Sequence, residues 1–136
     1  MPLANLGPVA SPGFLLALWV LCAGIEALVC DLGLRRAGLP RRRVRELALL
    51  LNLISWPLFL AALKGMWALG LAKDVAFVVG EVAVVLAEAW GLGALLRQGL
   101  PAEDRGRVPR DLSLLPVSLA ANLASIGVGL IVSLFL

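Results

Sequence analysis

Apolar residues fill four stretches of the chain, roughly 14–34, 47–67, 75–96 and 114–136, while arginines and most other charges collect between them. Each stretch runs for about 20 residues, which as a helix rising ~1.5 Å per residue spans the ~30 Å hydrocarbon layer of a bilayer. The runs are continuous and rich in leucine and alanine, with no alternation of period two, so they predict helices and not barrel strands.

The polar positions that interrupt these runs recur in order. Glu26-Ala27, Leu34-Arg35, Gly38-Leu39-Pro40 and Asn52-Leu53-x-Ser55 return as Glu88-Ala89, Leu96-Arg97, Gly99-Leu100-Pro101 and Asn122-Leu123-x-Ser125. The expectation is an all-α integral membrane protein of four helices, built from two tandem transmembrane hairpins in a parallel internal repeat. Residues 1–136 form one membrane domain, with repeat one at about 14–67 and repeat two at about 75–136.

Composition agrees with this pattern. The chain is 61% hydrophobic and only 15% charged, with a mean hydropathy of +0.98, whereas soluble domains carry about 25% charged residues. All ten arginines fall in two clusters, six within 35–45 and four within 97–110. By the positive-inside rule both clusters face the cytoplasm and both termini lie outside. The net charge of +3 therefore reads as topology, with no nucleic-acid partner implied. The preference for arginine over the two lysines, Lys64 and Lys73, fits a GC-rich bacterium, and the expected location is the bacterial inner membrane, as a multi-pass protein.

Local signals place the ends. Ser11-Pro12 is a cap and first-turn pair for helix one, after a Pro- and Gly-bearing stretch over 1–13. Helix two is expected to begin near Arg45-Glu46, and Ser113 with Pro116 to mark the start of helix four. Pro57 frees the Leu53 carbonyl and is expected to kink helix two. Trp19 reads as a lipid or interface anchor, and Trp67, Lys64 and Lys73 as residues of the far interface. Asp31 precedes Arg35 by four residues, the spacing of a helical ion pair. Cys22 and Cys30, eight residues apart on one helix, stand ~12 Å from each other, beyond the ~7 Å reach of a disulfide. They read as small buried hydrophobes. The first stretch lacks a basic leader and is interrupted by Glu26, so it is expected as a mature helix and not a cleaved signal.

The chemistry lies in the carboxylates. Glu26 sits nine residues before Arg35, and Glu88 nine before Arg97, which puts both ~13 Å in from the arginine turns. Asn52 and Asn122 reach a similar depth on the following helices, so a Glu26–Asn52 hydrogen bond is within reach, and Ser55 and Ser125 share their faces. Glu81 lies seven residues before Glu88 on the same helix face. Small residues at Ala83, Ala87 and Gly91, and again at Ala121, Ser125 and Gly129, suit close helix contact.

A charged carboxylate at the bilayer centre costs about 2.5–3.5 kcal/mol on insertion scales, and the sequence offers no base at this depth. The glutamates are therefore protonated and bonded to the amides, or hydrated along a path for a cation or proton, or completed by a partner. The expected function is a transporter- or channel-like component whose ligand-binding residues are Glu26, Asn52, Ser55, Glu81, Glu88, Asn122 and Ser125, with Glu81 as an outer relay. The alternative is a non-catalytic accessory subunit of a larger membrane complex. Enzyme activity is not expected: the chain has no histidine or tyrosine, no Cys/His metal cluster, no G-x-S-x-G and no phosphate-binding loop. No catalytic residue, metal or cofactor is assigned. Partners expected are the bilayer, further copies or other membrane subunits, and anionic lipid headgroups at Arg35, Arg36, Arg41, Arg42, Arg43, Arg97 and Arg107.

Overall fold

The computed structural model describes residues 11–134, so the expectations for 1–10 and for the last two residues of the fourth stretch lie outside the described residues. All regular structure among the described residues is helical. Four helices are long and apolar enough to cross a membrane. They are α1 (Pro12–Gly33), α2 (Arg41–Ala68), α3 (Lys73–Gly99) and α5 (Asp111–Leu134), and a single-turn α4 (Ala102–Arg105) lies in the second arginine connection.

The helix ends follow from capping chemistry. Ser11 accepts a hydrogen bond from the Phe14 N–H at 3.2 Å, and Pro12 occupies the first turn, where its missing donor costs nothing. After α1 the chain makes one 3₁₀ turn over Arg35–Ala37 and reverses at Gly38. There φ is +65°, a left-handed conformation that glycine adopts without a Cβ penalty. α2 starts at Arg41, about a turn earlier than the apolar pattern suggests, because Pro40 fixes the entry and the helix continues through its arginines. α5 likewise begins at Asp111 and carries Pro116 inside it, while Pro57 lies inside α2, which continues to Ala68.

α1 packs along α2 and α3 along α5, and the ring closes through α2 on α3 and α1 on α5. Toward the arginine end the interior is a leucine-rich plug in which Val44, Leu92, Leu96, Leu100 and Leu114 are almost fully buried. A smaller cluster of Phe59, Leu63 and Ala76 joins α2 to α3 toward the far end. Glycines set the closest approaches. A Cβ at Gly80 would lie 2.7 Å from the Phe59 ring, and one at Gly99 would lie 2.9 Å from Leu47. Ala83 and Ala87, expected at a helix contact, are exposed instead, while Ala121 and Gly129 are buried.

The two arginine turns meet. Arg43 Nε donates to the Gly99 carbonyl at 3.1 Å and Arg107 Nη1 to the Gly38 carbonyl at 3.4 Å, so both turns sit at one end of the bundle. Asp31 does not pair with Arg35. Its carboxylate, 3% exposed, takes Nη2 of Arg41 at 2.8 Å, with Arg45 at 3.8 Å. The local i,i+4 partner loses because the helix ends before Arg35 and the turn brings Arg41 across. Arg97 pairs with Asp111 at 2.5 Å. The step along the chain that carries Glu26 to Glu88 also carries Asp31 to Gly93, and Gly93 leaves room for that pair: a Cβ there would lie 2.5 Å from Asp111 Oδ1. The acid clips the first turn from α1 and the second from α5.

Candidate functional site

The long apolar helices bring six polar side chains together. α1 supplies Glu26, α2 supplies Ser55, α3 supplies Glu81 and Glu88, and α5 supplies Asn122 and Ser125. All six line one cavity of about 30 Å³, together with Cys22, Trp56, Phe59, Val84 and Ile126. Its lining contains no lysine or arginine. A volume of that size holds about one water molecule, which excludes an organic molecule lodged wholly inside it.

Glu88 is the best-held carboxylate. It is 5% exposed, and Ser55 Oγ donates to its Oε1 at 2.5 Å while Asn122 Nδ2 donates to its Oε2 at 2.6 Å. One donor comes from α2 and the other from α5, so the acid on α3 is gripped by both of its neighbours. Asn122 is held in turn by the Ser118 carbonyl one helical turn back, at 3.1 Å. Glu26, equally buried, has Ser125 as its polar neighbour. The Ser125 hydroxyl also reaches the Asn122 carbonyl, at 2.9 Å. Glu81 is only half-buried and lines the same cavity seven residues toward the far end of α3.

No protein-family model, curated protein or solved structure gives a significant match to this chain.

One sequence-derived residue parts from the others. Asn52 is 5% exposed but does not meet Glu26. It faces a second, smaller void of about 10 Å³ on the arginine side, shared with Cys30, Ala48, Leu51, Glu88, Leu92, Ser118 and Ala121. Residue spacing along a helix does not fix which way its side chains are turned. Glu88 thus lines both cavities, and the pairing crosses between hairpins: the acid of α3 takes its hydroxyl partner from α2, and the acid of α1 lies beside the hydroxyl of α5.

Two residues that sequence reasoning did not assign also belong to the site. Ser118, 2% exposed, donates to the Val85 carbonyl at 3.0 Å and ties α5 to α3 beside Glu88. Its place one helical turn before Asn122 was the available signal. Trp56 lines the cavity and stacks on Trp19, with ring centroids 6.4 Å apart. Trp19 is accordingly half-buried against α2, and its Nε1 is buried without a hydrogen-bond partner among the described residues. At the far end Lys73 Nζ lies 5.9 Å from the Trp67 ring centre.

Cys22 and Cys30 are free and buried, and Cys22 Sγ points to the Ser125 carbonyl at 3.8 Å. Among the described residues no group of three or more His, Cys, Asp or Glu side chains is arranged to hold a metal ion. Of the arginines assigned to lipid headgroups, Arg41, Arg42, Arg43, Arg97 and Arg107 each carry an acidic partner within the chain. Arg35 and Arg36 stand exposed on the first turn.

Proposed function

We propose that this chain is a transport component of a bacterial inner membrane in which Glu88, with Glu26 and Glu81 around the same cavity, binds a proton or a small monovalent cation. The two hairpins arise by duplication, both arginine turns face the cytoplasm, and the termini lie outside. The observation that carries the reading is the grip on Glu88: a carboxylate with no basic partner in its cavity is oriented by a hydroxyl on one side and an amide on the other. Such neutral ligands hold the acid in place without cancelling its charge, which leaves the charge free to be balanced by a transient cation.

The void of about 30 Å³ suits a water-borne proton or a largely dehydrated ion. Glu81, less buried and nearer the far end, receives the ion first and passes it to Glu88. The leucine plug on the arginine side closes the path in that direction, so transfer to the cytoplasm requires the helices to move against one another. A function within a homo-oligomer or with other subunits fits the small volume enclosed by four helices.

A second reading has its own support. The exposed Ala83 and Ala87 form a small-residue face of the kind on which a partner helix packs closely, as an accessory subunit requires. Flux in proteoliposomes separates the two. The wild-type protein is expected to move protons or sodium, Glu88→Gln to abolish that movement, and a hydrophobic carbodiimide to label Glu88 with protection by the transported ion. Normal ion movement by Glu88→Gln ends the transport reading.

A further inference from the structure

The larger openings of the bundle lie beside the carboxylate cavity and not at the arginine end. A groove of about 310 Å³ runs between α2 and α3, with Ser55, Leu58, Phe59 and Ala62 on one wall and Val79, Ala83 and Ala87 on the other. That volume lies within the ~300–1,000 Å³ of ordinary ligand sites. Its walls carry no charged residue. The groove exists because Ala83 and Ala87 present only a methyl group each along that side of α3.

Groove and cavity are neighbours. Ser55, Phe59 and Val84 line both, and Ser55 is the residue that holds Glu88. Across Ser55, Phe59 and Val84, beside the groove, therefore lie three carboxylates without a base, while the groove itself is hydrocarbon apart from the Ser55 hydroxyl. The chemical complement is a molecule with a cationic head and an apolar tail. Its tail stays in apolar surroundings throughout entry from the bilayer, so no tail surface is exposed to water on the way. Its head, reaching the cavity, supplies the positive charge that the glutamates lack. Head size is limited by the cavity of about 30 Å³, which accepts an ammonium group about as large as water and has no space for three added methyl groups.

We infer that the site takes an amphipathic primary ammonium compound, with its head among Glu88, Glu26 and Glu81 and its tail in the groove between α2 and α3. The inference rests on the cation-binding reading and names the class of cation. The test uses the full chain in phosphatidylcholine nanodiscs, with calorimetric titration corrected for partition into empty nanodiscs. Dodecylammonium is expected to bind at least tenfold more tightly than both dodecyltrimethylammonium and methylammonium, with affinity rising along the series from butyl to dodecyl. Dodecyl sulfate is expected not to compete. Ala83→Phe, which fills the groove, is expected to remove the chain-length dependence.

Equal binding of the two dodecyl cations, or an affinity indifferent to chain length in the wild-type protein, overturns the inference, and neither measurement depends on the variant folding. Loss of self-association in Ala83→Phe, with amine binding unchanged, also overturns it and assigns the groove to a second copy. The transport reading stands or falls separately, on ion movement by Glu88→Gln.

Discussion

Replacing Asn122 by leucine removes one of the two hydrogen bonds on Glu88 and keeps the side-chain size. Both residues are buried, at 7% and 5% exposure, and the bond is 2.6 Å long. Interhelical hydrogen bonds within bilayers average ~0.6 kcal/mol and reach ~1.7, whereas a bond to an ionised group contributes ~1.5–3 kcal/mol. The two ranges meet at about 1.5 kcal/mol, which is the loss expected, or roughly a 12-fold change in the folding equilibrium. The second Asn122 bond, to the Ser118 carbonyl at 3.1 Å, is local to the helix and adds little.

In a Glu88→Leu background the same substitution should be close to neutral, because the acceptor has gone and two apolar groups now face each other. The cycle is read by reversible unfolding in mixed micelles of dodecylmaltoside and dodecyl sulfate, followed by far-ultraviolet circular dichroism. A coupling of about 1.5 kcal/mol is expected. If Asn122→Leu has the same effect with and without Glu88, Asn122 acts through packing, and the account of a gripped carboxylate is wrong.

Two further outcomes follow from the arginine end. Gly93→Ala puts a Cβ 2.5 Å from Asp111 Oδ1 and 3.2 Å from Leu114, an overpacking expected to cost about 1–3 kcal/mol. Asp111→Ala removes only a half-exposed ion pair, which contributes about 1 kcal/mol or less, and equal losses from the two variants in the micelle titration refute this ordering. Arg41→Ala strips the main partner from Asp31, which is 3% exposed, and is expected to lower the unfolding midpoint. Arg42→Ala breaks a surface pair with Glu46 and should leave the midpoint almost unchanged, so comparable shifts of the unfolding midpoint contradict the distinction.

How much of this could be read in the chain depends on what kind of information each feature carries. The helices are legible because an apolar run long enough to span hydrocarbon has few alternatives, and Ser11-Pro12 writes its own cap. The polar interruptions of the apolar runs are legible too, and six of them, Glu26, Ser55, Glu81, Glu88, Asn122 and Ser125, line one cavity. Azimuth is not. Nothing in the spacing says that Ser55 and Asn122 both turn to Glu88, or that Asn52 turns to a separate void. Non-local pairing is equally hidden, as Asp31 shows by choosing Arg41 across the turn over the nearer Arg35. Small residues mislead in the same way: Ala83 and Ala87 have the spacing of a helix contact but open a groove, while single glycines at 80, 93 and 99 make the close approaches.

The ties between the two arginine turns have an evolutionary consequence. Arg43 and Arg107 each end on a peptide oxygen, at Gly99 and Gly38, and a peptide oxygen is present whatever residue stands there. The acceptor side of the latch is therefore written in backbone shape and not in side-chain identity. A lost arginine at either place has no charge-swapping revertant, and the two turns leave no trace of each other in correlated substitutions. Descendants of this chain can keep the latch only by keeping the donor.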